Sequence, residues 1–212
     1  MKAAEITTSI RQLLPTVARE ILSYLPAPDA SGIADITILF TDIDGYTSMT
    51  ERLGDRASQA MLRAHNHVVR QALAAHGGRE VKHTGDGIMA FFSCAARAVE
   101  CALAIQDGIT TFNHRRRDRE PLRVAVGMNT GSPIREEGDL YGTAVIVAAR
   151  AVDLAAGGEV VVTDVVRQLA AGKRLSFEPL PSAELEGLTD VPALYLASRT
   201  ASVEGASSDD AL

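Results

Sequence analysis

Residues 79 to 92, R-E-V-K-H-T-G-D-G-I-M-A-F-F, constrain the fold of this chain more than any other stretch. Two strand-like runs, 79 to 84 and 86 to 92, flank a turn centred on Thr84 to Gly87, and so short a connection admits only antiparallel neighbours. On one side lies a helical pattern from about Tyr46 through Ala75, stopped by Gly77-Gly78; on the other lies a second, from 94 to 112. Apolar runs bound both helices, 35 to 42 before the first and 122 to 130 after the second. This order predicts helices covering one face of a largely antiparallel sheet.

Beyond residue 130 the pattern continues as a helix over 142 to 156 ending at Gly157-Gly158, a strand over 159 to 162, and a short helix over 164 to 171. A last pair of runs, 175 to 178 and 192 to 197, reads as antiparallel strands. The expected class is therefore α+β: a ferredoxin-like βαββαβ core with an additional C-terminal α/β extension. Ahead of it, Ile6, Ile10, Leu13, Leu14, Val17, Ile21, Leu22 and Leu25 recur at helical spacing, interrupted near Pro15, and P-A-P-D-A-S-G reads as a linker. The expected division is an amphipathic helical segment with its linker over 1–32, a catalytic domain over 33–198, and a disordered acidic tail over 199–212.

With 212 residues, 46% of them apolar, the chain can bury one substantial core. Its net charge of -6 argues against a general nucleic-acid face, and the basic run from His114 to Arg119 reads as a solvated loop. No stretch reaches the roughly 18 apolar residues of a membrane span, and the N-terminus lacks a signal-peptide layout. Cys94 and Cys101 lie on one predicted helix and suggest no disulfide framework, so a cytoplasmic location is expected.

The chemistry concentrates where the first strand ends, at F-T-D-I-D-G-Y-T. Haloacid-dehalogenase-like phosphatases carry a similar D-x-D-G-T, which would make Asp42 a nucleophile and Asp44 an acid/base, but Tyr46 intervenes before Thr47. A metal site using Asp42 is a second reading, and a plain turn at Asp44-Gly45 a third. The hairpin favours the metal. If it lies beside the first strand, Asp86 at its tip comes near Asp42, and two close carboxylates repel unless a cation lies between them. Gly45, Tyr46 and Thr47 then supply amides at a helix N-terminus for a triphosphate.

Over about residues 35 to 198 the chain resembles the class III nucleotidyl cyclase catalytic domain. F-T-D-I-D-G-Y-T resembles that family's first metal motif, V-K-H-T-G-D-G its second, and G-D-L-Y-G-T-A-V-I-V-A-A-R, residues 138 to 150, its substrate-reading and transition-state segment. The resemblance implies that Asp42 and Asp86, assisted by the Ile43 carbonyl, hold two Mg²⁺ or Mn²⁺ ions per site, leaving Asp44 without a catalytic role. It implies that Lys82 and Asp139 read the base, favouring ATP, and that Arg150 stabilises the transition state. It implies a head-to-tail homodimer in which one chain supplies the metal carboxylates and the other Lys82, Asp139 and Arg150. The expected reaction is conversion of ATP to cyclic AMP and pyrophosphate; the alternatives are a cyclase-like regulatory module with weak turnover, or a cyclase acting on GTP or a pyrimidine nucleotide. Any upstream regulatory partner is unspecified.

The pattern departs from the family at a few places. Ile146 stands where an asparagine usually positions the ribose, and Glu186 where many relatives carry a lysine, for which Lys173 or Arg174 would have to substitute. The arm from Gly131 to Gly138 is short, with Arg135 a weak candidate for a phosphate contact. His65 and His67 are two apart on a helix, so their side chains diverge and do not suggest a metal pair; His83 alternates away from Lys82.

Overall fold

The computed structural model describes residues 35–116, 120–172, 174–181 and 192–200. The N-terminal helical pattern, the linker, Lys173, Glu186 and the tail lie outside them. In chain order the elements are β1 (Ile36–Ile43), α1 (Tyr46–Leu53), α2 (Asp55–His76), β2 (Arg79–His83), β3 (Ile88–Phe92), α3 (Ala95–His114) and β4 (Val124–Gly131). They continue with β5 (Ile134–Glu136), β6 (Asp139–Tyr141), α4 (Thr143–Asp153), β7 (Val160–Thr163), α5 (Asp164–Ala170), β8 (Leu175–Pro179) and β9 (Leu194–Arg199).

β1 reads as an unbroken apolar run because both of its faces are buried. Leu39 and Ile43 enter a core shared with α2 and α3, through residues such as Met61, Val69, Val99 and Ile105. Ile36, Ile38 and Phe40 enter a second core on the opposite face, with Met89, Leu140, Ala148 and Val152. The seven strands run β2-β3-β1-β4-β7-β9-β8, and the first four reproduce the expected βαββαβ core. β4 and β7 pair in parallel, while the other ladders of this sheet are antiparallel. No helix among the described residues is long and apolar enough to cross a membrane.

The structure corrects the sequence reading in three ways. Helices do not all lie on one face: α4 packs on the face opposite α2 and α3. Its apolar residues Ala148 and Val152 pack there with Ile36, Ile38 and Phe40, and Gly127 of β4 permits the close approach, since a Cβ there would fall 2.1 Å from the Val152 nitrogen. Secondly, the helix predicted from Tyr46 to Ala75 is two helices. Gly54, at φ 77°, stops α1 by donating its N–H to the Thr50 carbonyl, and the chain restarts as α2 at Asp55. Thirdly, residues 134 to 141 form an unforeseen ribbon, β5 paired with β6 through Glu137 and Gly138 at φ 50° and 82°.

Candidate active site

The β1–β3 ladder ends at the Thr41↔Ile88 pair. The next residue of β1 is Asp42, and Asp86 precedes Ile88 by two, so both carboxylates leave the sheet at the same end. Asp42 is half-buried. Burial foremost, and then the charge of Asp86, raise its carboxyl from 3.8 to about 6, with Asp153 and Asp44 adding to the effect. Among the described residues no third His, Cys, Asp or Glu completes a group able to hold a metal by itself. Two hard oxygen donors with uncompensated repulsion fit Mg²⁺ or Mn²⁺, ions that keep waters and phosphate oxygens in their shell, better than an all-protein cage.

Asp44 is not equivalent to Asp42. Its N–H donates to the Arg123 carbonyl at 3.0 Å, and its Oδ2 would be 2.6 Å from a Cβ on Gly157, so its carboxylate rests against the loop after α4. Gly45, at φ 69°, is the N-cap of α1 and offers no side-chain cap, which leaves the first-turn amides open to a ligand. Tyr46 packs on the core and Thr47 is exposed. A polar cleft of about 270 Å³ opens here, lined in part by Ser48, Arg123 and the Arg52–Glu120 ion pair. Ile43 buries its side chain, so its backbone carbonyl is the group it has to offer.

Lys82 pairs in register with Met89, and Met89 with Phe40, so Lys82, Phe40 and, two residues on, Asp42 share the face that carries α4. The β5–β6 ribbon is anchored on that face by Leu140. From it Asp139 forms an ion pair with Lys82. The Lys82 ammonium foremost, and the Leu140 N–H at 2.8 Å, hold the Asp139 carboxyl below the usual carboxylate range. The Tyr141 ring lies 5.9 Å from Lys82 Nζ and remains 47% exposed, so an aromatic face adjoins the pair. Sequence reasoning passed over Tyr141, although strand alternation from Asp139 puts both on one side of the ribbon.

On α4, Arg150 donates to Asp153 Oδ2 at 3.1 Å, and Ile146, one turn earlier, is 49% exposed. Asp153 is the carboxylate through which this helix reaches toward Asp42, another relation that spacing did not suggest. Arg135 stacks 4.9 Å from the Phe91 ring and so lies down on the sheet instead of projecting toward a phosphate. His83 accepts from Arg70 at 2.7 Å in a surface cluster with Glu80. Arg116 of the basic run stacks on Phe112 and donates to Met61 Sδ at 2.8 Å. His67 lies on the surface of α2, but His65 is fully buried, with Nε2 3.0 Å from Thr41 Oγ1.

A carboxylate pair at one strand end, open helix amides beside it and a lysine–aspartate pair on the α4 side of the sheet are the polar groups this domain gathers. The family model described as the adenylate and guanylate cyclase catalytic domain matches residues 29–198, and the chain belongs to that family. It is 34% identical over 137 residues to the protein named "Putative adenylate cyclase 3" of Rhizobium meliloti, a match that covers 64% of this chain and 23% of that protein. The fold is that of the adenylyl cyclase CyaB from P. aeruginosa, with a TM-score of 0.71 at 20% identity over 81% of this chain and 97% of the other. The structure titled adenylate/guanylate cyclase/hydrolase from Silicibacter pomeroyi aligns with a TM-score of 0.69 at 29% identity, covering 76% and 95% of the two chains. The chain spans from 20% to 46% of the length of the curated relatives it matches.

Proposed function

We propose that this class III cyclase domain converts ATP to 3′,5′-cyclic AMP and pyrophosphate, at a site that a second copy of the chain completes. The observation that supports this reading is the placement of the Asp42–Asp86 pair and the Lys82–Asp139 pair on one end and one face of a single sheet. Lys82 donates to adenine N1 and Asp139 accepts from the 6-amino group; guanine presents the opposite pattern at these two atoms. Because the two side chains already bind each other, they are oriented before the base arrives. The amides of Gly45, Tyr46 and Thr47 hold triphosphate oxygens at the start of α1. Asp42 and Asp86, with the Ile43 carbonyl, would hold two Mg²⁺ or Mn²⁺ ions, which when bound acidify the ribose 3′-hydroxyl and neutralise charge on the departing pyrophosphate. Arg150 stabilises the charge that builds on the α-phosphoryl oxygens as the 3′-oxygen bonds to phosphorus and the bridge to the β-phosphate breaks.

The proposed homodimer has its own support. The face carrying Lys82, Asp139 and α4 is covered by one helix and one ribbon, leaving Ile134, Tyr141 and Ile146 at 54%, 47% and 49% exposure. Apolar side chains grouped on one face suit a second protein surface. In such a dimer one chain brings the carboxylate pair and its partner brings Lys82, Asp139 and Arg150.

A second reading, a nucleotide-binding module with weak turnover, is favoured by Ile146, which cannot donate to a ribose, and by Glu186, an acidic residue where the family resemblance leads one to expect a lysine. Purified protein given ATP, GTP, CTP and UTP separately with Mn²⁺, with products separated by chromatography, decides among these. Cyclic AMP from ATP alone is the expected result. Comparable product from GTP overturns the base assignment, and nucleotide binding without product selects the second reading.

A further inference from the structure

Along α2, Met61, His65, Val69 and Leu73 recur four apart and all are buried, so His65 occupies a core position that a leucine would fill without needing polar partners. Its nitrogens are instead part of one hydrogen-bonded chain. The Ile88 N–H donates to Thr41 Oγ1 at 3.0 Å, the Thr41 hydroxyl donates to His65 Nε2 at 3.0 Å, and His65 Nδ1–H donates to Asn66 Oδ1 at 3.0 Å. A neutral imidazole with its proton on Nδ1 lets every donor in the chain meet one acceptor, and burial, which lowers the His65 pKa, favours that form.

The chain lies where β1 and β3 part. Ile88 is the last β3 residue of the ladder, and it is tied to β1 by the Thr41 side chain. The hairpin backbone also presses on β1 here, since a Cβ on Gly87 would come within 1.9 Å of the Thr41 carbonyl oxygen. Asp42 follows Thr41 directly, and Asp86 precedes Ile88 by two residues. Alternation along β1 turns Thr41 toward α2 and Asp42 to the other face, so His65 acts from behind the site without touching it.

We propose that His65 is a positioning residue for the carboxylate pair: through Thr41 it sets how far apart the ends of β1 and β3 hold Asp42 and Asp86, and so how tightly the site takes a divalent cation. The proposal rests on the reading of Asp42 and Asp86 as cation ligands. Residues that orient ligands from behind typically change metal affinity by about 10- to 100-fold when lost.

The test titrates Mn²⁺ alone into the full chain, follows loss of the free-ion electron paramagnetic resonance signal, and records thermal unfolding in parallel. His65→Leu and Thr41→Val should each weaken Mn²⁺ binding by about ten-fold or more, and the double variant no further than either single one. His65→Gln, whose amide can still accept from Thr41 and donate to Asn66, should stay within about three-fold of the original protein. A lowered unfolding temperature with unchanged Mn²⁺ affinity would show a packing role only and overturn the proposal. Should His65→Leu fail to fold, the near-isosteric Thr41→Val decides by the same criterion. Asp42→Asn separates the two layers: if it too binds Mn²⁺ normally, the cation reading fails and this proposal with it. If Asp42→Asn abolishes binding while Thr41→Val leaves it intact, only the role of His65 is lost.

Discussion

Asp42 holds its proton more tightly in the fold than in the unfolded chain. Burial and the charge of Asp86 raise its carboxyl from 3.8 to about 6, so this group stabilises the metal-free fold below pH 3.8 and that contribution is lost as pH rises through about 6. In a chelator, the unfolding temperature of the protein relative to that of Asp42→Asn should therefore fall between those two values; a constant difference would show that the fold does not raise the Asp42 carboxyl. A bound cation favours the ionised pair, so Mn²⁺ should bind more weakly as pH drops below about 6, by competition with the proton. Ile146 is the other informative single residue. Restoring a donor with Ile146→Asn should raise turnover, by up to about a hundred-fold, or leave it unchanged. A large loss in steady-state turnover would mean that the isoleucine belongs to a differently organised ribose site.

At the scale of elements, the site depends on how closely α4 lies on β4. Gly127 permits that approach, because a Cβ there would meet the backbone of Ala151 and Val152 at 2.1 to 2.6 Å, and backbone has no rotamer to escape into. Gly127→Ala should therefore lift the end of α4, cost about 1–3 kcal/mol in chemical denaturation, and reduce turnover more than nucleotide affinity, since Arg150 rides on that helix. If turnover per folded molecule is unaffected, Arg150 does not depend on the seating of α4. The β2–β3 hairpin and the β5–β6 ribbon work as a pair in the same sense. Each is short, and the Lys82–Asp139 ion pair joins one to the other.

For the whole molecule, the proposal to test is that no single chain holds a complete site. Arg150 is paired with Asp153 on its own helix, and the face that bears it leaves apolar side chains uncovered. Asp42→Ala and Arg150→Ala, each inactive alone, should regain activity when mixed, approaching about a quarter of the original if protomers exchange at random, because half the dimers then hold one intact site. With mixed dimers verified by differential tagging, no recovery would refute the shared site.

Much of this was legible in one dimension. Strand and helix periods are local properties, so the βαββαβ order and the turn at Thr84 to Gly87 follow from neighbouring residues alone. The same order puts β3 beside β1, which is why residue order alone matches Asp86 to Asp42. Periodicity reports that a side chain is buried but not what it is buried against. How closely α4 seats on β4 turned on a missing Cβ at Gly127, and the break at Gly54 on one backbone conformation. The partner of Lys82 lies 57 residues away on a ribbon too short to show a period, and His65, which looked like one of two diverging histidines, meets Thr41 only after α2 docks on β1. Local chemistry in the sequence determined which groups this domain offers as a candidate site. Only the packing of one layer on another decided which of them share a face and what holds them there.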